Sequence, residues 1–286
     1  YMSAEVLVFS NFKGGAGKTS TGGLVAWELA KRGNKVLMID FDSQQNMTDL
    51  YLRTKARMED VNNVEVNKTV MTAINEGLSL KQVTIPITEN LDLVPTSMYF
   101  QKEYQRYLEL NYPLIAGPNA LEAEQSRVHS FKPMIDKIKA DYDYIFIDVP
   151  PSISSPNDTV FYAADQIIIV LQTQERSFSG AQSFISYLQD FIVNDMGGDV
   201  GVLGVMPVLS KKNGQVDETI LADATELFDE SNMFHTRVYL QERIKRMDMT
   251  GITENEHDIW DKKVEKTFSD LADEVIKRIE EQKENE

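Results

Sequence analysis

The stretch SNFKGGAGKTST, Ser10 to Thr21, places three glycines, two lysines and four hydroxyl side chains within twelve residues. Gly14, Gly15 and Gly17 allow the backbone to curl so that successive N–H groups point inward, and a helix starting near Lys18 adds the positive end of its dipole. Such a concavity binds anions. In a nucleotide site Lys18 would reach the β- and γ-phosphates and the Thr19 hydroxyl would ligate Mg²⁺, with Gly14, Gly15, Ala16, Gly17, Lys18, Thr19 and Ser20 forming the phosphate cradle. The common pattern G-x-x-x-x-G-K-[ST] is broken once, because Phe12 stands where its first glycine belongs. Lys13 is then an extra lysine that needs a purpose.

A Mg²⁺ ion keeps several waters, and those waters need acceptors. YIFIDVPP supplies a carboxylate, Asp148, after four apolar or aromatic residues, and LMIDFD supplies Asp40 and Asp42. One aspartate after a strand is ordinarily a cap or turn residue. Three at the carboxyl ends of strands beside a phosphate loop point to metal and water positioning.

Those carboxylates must be held by strands. EVLVFSNF (5–12), KVLMIDFD (35–42), LDLVPTS (91–97), YDYIFIDVP (142–150), QIIIVLQT (166–173), VGVLGVMPVL (200–209) and FHTRVYL (234–240) are short runs of nearly continuous apolar character. That pattern belongs to strands covered on both faces, hence to a parallel sheet flanked by helices. TSTGGLVAWELAKRG, ending at Gly33, reads as a crossover helix with a glycine stop. The fold class is α/β: a doubly wound, mostly parallel sheet with helices on both faces.

No linker or repeat divides the 286 residues, so residues 1–286 are expected to form a single domain, least regular over about 51–140. Within that region NYPLIAGPNALEAEQ (111–125) reads as a loop leading into a helix. A terminal helix is expected from the spacing of Val264, Phe268, Leu271, Val275 and Ile279.

Zero cysteines exclude disulfide frameworks, thiol nucleophiles and iron–sulfur clusters, and the three histidines are not clustered. The apolar runs fall far short of the roughly 20 residues of a membrane helix, and AEVLVFSNF lacks the flanks of a secretory leader, so a cytoplasmic protein is expected. A net charge of −16 argues against a uniformly basic nucleic-acid coat but leaves room for a local basic patch.

Taken together, these residues resemble the deviant-Walker ATPases of the ParA/MinD superfamily, the SIMIBI branch of the P-loop NTPases. KGGAGKT matches the signature loop, DFDSQQNMT (40–48) looks like the D-x-D-P-Q-x-N-x-T switch segment, and YDYIFIDVPPS (142–152) looks like the Walker B strand. The similarity runs on through LDLVPTS, AADQIIIVLQTQERSFSGAQ (163–182) and LADEVIKRI, and the ParA branch fits best. The resemblance implies ATP and Mg²⁺ as ligands and ATP hydrolysis as the activity. It implies that Lys13 crosses an ATP-sandwiched homodimer to the partner's phosphates, that Asp42 positions or activates the attacking water, that Asp40 supports the Mg²⁺ site, and that Asp148 holds Mg²⁺ through water. Lys13, Lys18 and Asp42 would be the catalytic set. Adenine contacts are expected near PVLSKKN (207–213). Two positions depart from the pattern: Ser43 stands where proline is usual and Gln45 where glycine is frequent.

The resemblance also implies nonspecific binding of DNA by the ATP-bound form, and a ParB-type centromere-binding partner. Arg237, Arg243, Lys245 and Arg246 are concentrated in HTRVYLQERIKRMD and are the candidate DNA contacts. The end of the chain, IEEQKENE, is mixed to acidic and lacks aromatic anchors, so no membrane is expected. The alternative is an ATPase on the same scaffold that positions a protein cargo or carries out metabolic chemistry without DNA.

Overall fold

Apolar side chains on both faces of a strand can be buried only if helices cover both faces. The computed structural model, which describes residues 3–10, 17–172, 178–209, 215–239, 242–255 and 257–285, satisfies that demand with one eight-stranded sheet. The elements run β1 (Glu5–Ser10), α1 (Lys18–Lys31), β2 (Val36–Asp40), α2 (Asn46–Met58), α3 (Val70–Glu76), β3 (Ile85–Pro86), β4 (Leu91–Val94), α4 (Phe100–Asn111), α5 (Ala120–Val128), α6 (Lys132–Asp136) and β5 (Tyr144–Asp148). They continue with α7 (Ser155–Ala163), β6 (Gln166–Gln172), α8 (Phe178–Tyr187), β7 (Gly201–Leu209), α9 (Gln215–Phe228), β8 (Val238–Tyr239), α10 (Glu242–Thr250) and α11 (Ile259–Asn285).

The strand order is β3-β4-β2-β5-β1-β6-β7-β8, parallel except for the antiparallel pair β3 and β4. This is the doubly wound sheet the sequence predicts. Chain order reverses at β1, which lies between β5 and β6, so the carboxyl ends of β1, β2 and β5 frame a crevice at the switch point. Registers align Phe9 and Asp40 with Asp148 on its two sides.

Alternation along each strand divides the core in two. Val6, Val8, Leu37, Ile39, Ile145 and Ile147 face one layer, with residues of α3, α4, α6, α7 and α8. Leu7, Phe9, Val36, Met38 and Phe146 face the other, with residues of α1, α2, α10 and α11. Val264, Phe268, Leu271, Val275 and Ile279 are all buried in that second layer, as the helical spacing predicts. Two strands differ from expectation. Among its described residues FHTRVYL contributes Val238–Tyr239 alone, and the two-residue edge strand Ile85–Pro86 carries too short a pattern to read.

The irregular 51–140 region is largely ordered into helices, and its aromatic residues brace the site. Phe41, between Asp40 and Asp42, packs against Phe100, Tyr104 and Phe131 at centroid distances of 4.6, 5.4 and 5.0 Å.

On the opposite face α10 ends against α2. Gly251 follows α10 with φ +81°, and a Cβ there would stand 2.6 Å from the backbone nitrogen of Thr54. Both the left-handed backbone and the close approach require glycine. Gly251→Ala is expected to lower stability by about 2–4 kcal/mol, read as a shift in the chemical denaturation midpoint; an unchanged midpoint would show that α10 does not dock on α2 in this way.

Candidate functional site

The site starts with a strand that ends in charge. β5 is apolar until Asp148, and burial of that carboxylate is costly unless donors and cations gather round it. Lys18, at the start of α1, meets the demand: its Nζ lies 2.6 Å from Asp148 Oδ1 and also donates to the carbonyl of Val149. The Thr19 hydroxyl donates to Asp148 Oδ2 at 2.8 Å. Lys18 and Asp148 are both buried. The two residues that the sequence assigns to phosphate and to Mg²⁺ thus meet on the Walker B aspartate.

The second cluster belongs to the switch segment. Asp40 is fully buried, and its Oδ1 accepts from the backbone of Asp42 (3.0 Å) while Oδ2 accepts from the backbone and hydroxyl of Thr48 (2.8 and 2.7 Å). Asp40 therefore closes the loop 40–48 on itself. Burial, aided by the charge of Asp148, pushes its carboxyl well above the usual range, against the opposing hydrogen bonds from Thr48 and Asp42. Asp42 accepts from the backbone of Gln44 at 2.9 Å, and burial raises its pKa too; the Gln44 N–H opposes the rise and Asp148 adds to it.

Both departures from the family pattern acquire a physical account. Ser43 Oγ accepts from the backbone of Gln101 at 2.9 Å, and Gln101 Nε2 donates to the carbonyl of Phe41 at 2.6 Å, so α4 grips the switch through a hydroxyl that proline lacks. Gln45 adopts φ +60°, the left-handed conformation that glycine takes without steric cost.

Among the sequence-predicted residues, the structure brings together Lys18, Thr19, Asp148 and the switch carboxylates. Gly17 is the left-handed cap of α1. Lys13, Gly14, Gly15 and Ala16 lie outside the described residues, as do 210–213 of the expected adenine segment. Ser20 faces away from the carboxylates, because its hydroxyl donates to Asp248 Oδ1 on α10 at 2.9 Å. Asp248 and Gln101 are site neighbours that sequence reasoning missed; each is far from its partner in the chain and carries no motif.

Two cations of the basic segment are held in ion pairs. Arg237 precedes β8 and pairs with Glu218 at 2.8 Å. Lys245 on α10 pairs with Glu242 at 3.0 Å, and Arg246 on the same helix is exposed. The side chain of Arg243 lies outside the described residues. No helix among the described residues is long and apolar enough to cross a membrane.

A parallel sheet with its crevice at β1, a lysine and a threonine opening the following helix, and aspartates ending the two strands on one side define a P-loop nucleotide-binding protein. A family model described as an AAA domain matches residues 4–196, and the chain belongs to that family as a ParA-type P-loop ATPase. It is similar to the sporulation initiation inhibitor protein Soj of Bacillus subtilis strain 168, 27% identical over 203 residues that cover 71% of each chain. Among solved structures it resembles apo McdA of Cyanothece, with a TM-score of 0.74 and 20% identity over 96% of this chain and 99% of that one. It also resembles cobyrinic acid a,c-diamide synthase of Mycobacterium smegmatis with bound ATP analogue and magnesium, with a TM-score of 0.72 and 20% identity over 94% and 93%. Identities this low carry the fold alone.

The raised pKa of Asp40 sets a sign. A carboxyl whose native pKa exceeds its unfolded value favours the fold at pH below the unfolded pKa, and that advantage is lost as pH rises through the native pKa. Thr48 offsets the loss by stabilising the ionised form. Thr48→Val is therefore expected to destabilise the ligand-free protein by about 1–3 kcal/mol at pH 8 and by less at pH 5, in urea denaturation at both values. A penalty that is larger at pH 5 would contradict the assignment.

Proposed function

We propose that the chain works as one ATPase unit that hydrolyses ATP, closes on it as a sandwich homodimer, binds DNA without sequence preference, and segregates plasmid or chromosomal DNA with a ParB-type centromere-binding partner. The observation that carries this reading is the meeting of Lys18, Thr19 and Asp148 beside the Asp40–Thr48 switch.

Lys18 pairs with Asp148, so a cation stands beside the segment where phosphate would bind. Triphosphate competes with one carboxylate for that ammonium group, and capture of Lys18 by phosphate frees Asp148. Three buried carboxylates against this one lysine leave excess negative charge, and the freed donors are all oxygen, which fits a hard divalent ion such as Mg²⁺. The similar synthase with bound ATP analogue and magnesium supports the same pair of ligands here. Thr19 would ligate the ion and Asp148 would accept from its waters; when bound, Mg²⁺ supplies charge neutralisation on the phosphate oxygens. Asp40 contributes by fixing the switch rather than by offering a free lone pair.

Asp42 is the proposed base. A carboxyl whose pKa is raised takes a proton from water more readily than an ordinary one, and its place after Phe41, locked in the aromatic cluster, fixes its direction. Lys13 adds a second positive charge at the γ-phosphate, supplied across the dimer by the other copy.

DNA contact is assigned to Arg237, Arg243, Lys245 and Arg246. Exposed ion pairs such as Arg237 with Glu218 are worth about 0–1 kcal/mol, so a phosphodiester can displace the glutamate. The same pairing favours the second reading, an ATPase that moves a protein cargo or serves metabolism, because these cations are partly neutralised without DNA.

A gel shift of random-sequence duplex separates the two readings: binding with ATP, weak binding with ADP, and a steep loss with salt are expected. Hydrolysis with no shift at low salt would overturn DNA binding. Asp42→Ala in ATP is expected to run at twice the monomer mass in light scattering, and a monomer there would rule out the sandwich. Lys13→Ala is expected to reduce turnover by at least about tenfold while nucleotide affinity changes less, since its contribution is to the transition state.

A further inference from the structure

The helix that carries Lys245 and Arg246 is bonded to both segments that would sense nucleotide. Asp248 on α10 accepts from the Ser20 hydroxyl at 2.9 Å. Ser20 is the residue after Thr19, in the first turn of the phosphate-loop helix. The backbone carbonyl of Asp248 also accepts from Arg53 Nη1 on α2, and Arg53 Nη2 is itself held by Asp49 at 2.9 Å. One turn further, the backbone of Ile252 donates to the Thr54 hydroxyl at 2.8 Å, and Gly251 lies against the Thr54 backbone. α2 starts at Asn46, and its first-turn Thr48 holds Asp40.

α10 therefore rests on two helices whose amino-terminal ends are the phosphate loop and the switch. Ser20 is buried and has the smallest hydroxyl side chain, so it offers α10 one directional contact and little packing area. The charged acceptor makes that contact stronger than a neutral hydrogen bond. A rigid helix shifted at one end moves what is bonded to its first turn.

We propose that Asp248 is a positioning residue that ties the basic helix α10 to the phosphate-loop helix through Ser20, so that ATP binding at the loop sets the position of α10. The linkage rests on the reading that the loop binds ATP and α10 meets DNA, but it is defined by a movement of α10 and can be measured without DNA.

Hydrogen exchange of residues 242–250, with and without Mg-ATP, reads that movement in the full chain. Wild-type protein is expected to change its exchange rates there by about fivefold or more on ATP binding, as a coupling of ordinary size would give. Asp248→Ala removes the acceptor while suiting a helix, and is expected to reduce the response to within about twofold, with ATP affinity by calorimetry kept. Asp248→Asn keeps an acceptor oxygen and is expected to restore the response, whereas Asp248→Leu, which fills the space without an acceptor, is expected to leave it lost, a pair of outcomes that packing alone would not predict. The ratio of DNA affinities in ATP and ADP should fall in the alanine variant and recover in the asparagine one.

A full exchange response in Asp248→Ala, or no response in ATP-bound wild type, overturns the linkage. An intact exchange response in a wild-type chain that binds no DNA leaves the linkage standing and overturns DNA binding instead.

Discussion

Everything at this site depends on the cost of burying negative charge. Asp40, Asp42 and Asp148 end two neighbouring strands of a sheet whose faces are closed to water, and Asp40 and Asp148 are register partners. The fold tolerates them by three separate means. Asp148 takes the Lys18 ammonium, Asp40 takes three donors of its own loop, and Asp42, with the Gln44 amide, keeps a raised pKa. The result is strain with a direction: a ligand that brings cations, or that draws Lys18 outward and admits one, relieves a repulsion already present. A metal-bound triphosphate would supply such a cation.

The same constraint explains why α4 is where it is. A switch loop closed only by Asp40 would be free to swing about its own ends. Phe41 anchors it in an aromatic cluster, and Gln101 clasps it at the Ser43 hydroxyl and the Phe41 carbonyl. The left-handed Gln45 then turns the chain into α2, at a steric cost that a side chain pays and glycine does not. A proline side chain at position 43 would accept no hydrogen bond from Gln101, so the departure at Ser43 is tied to a brace from α4.

Much of this was legible before the fold was known. The seven strand runs are continuous because parallel strands are buried on both faces, and the carboxylates stand out because they end such runs. The phosphate loop and switch are local in sequence, so their residue types and spacing carry the chemistry. The contacts that escaped reading are nonlocal. Ser20 meets Asp248 across more than two hundred residues, and Gln101 meets Ser43 across nearly sixty; nothing in either neighbourhood marks the pair. Ser20 follows Lys18 and Thr19 in the phosphate motif, and its hydroxyl donates to Asp248 on α10, a partner that the motif does not reveal. The pairing of Arg237 with Glu218 was equally hidden, since the partner lies on α9, before the basic segment begins.

That pairing bears on how an acidic chain could meet an acidic polymer. With a net charge of −16, the long-range field repels DNA, and attraction begins only within about a screening length of 8–10 Å of local cations. Inside that distance the glutamates beside Arg237 and Lys245 partly cancel the attraction in a single copy of the chain. A phosphodiester close to Arg237 or Lys245 would compete in each case with a single exposed carboxylate. Two copies brought side by side would double the local cations at a fixed spacing, while salt would screen the repulsive remainder of each. Weak pairs and an unfavourable overall charge would make any contact with DNA short-ranged and steeply dependent on salt.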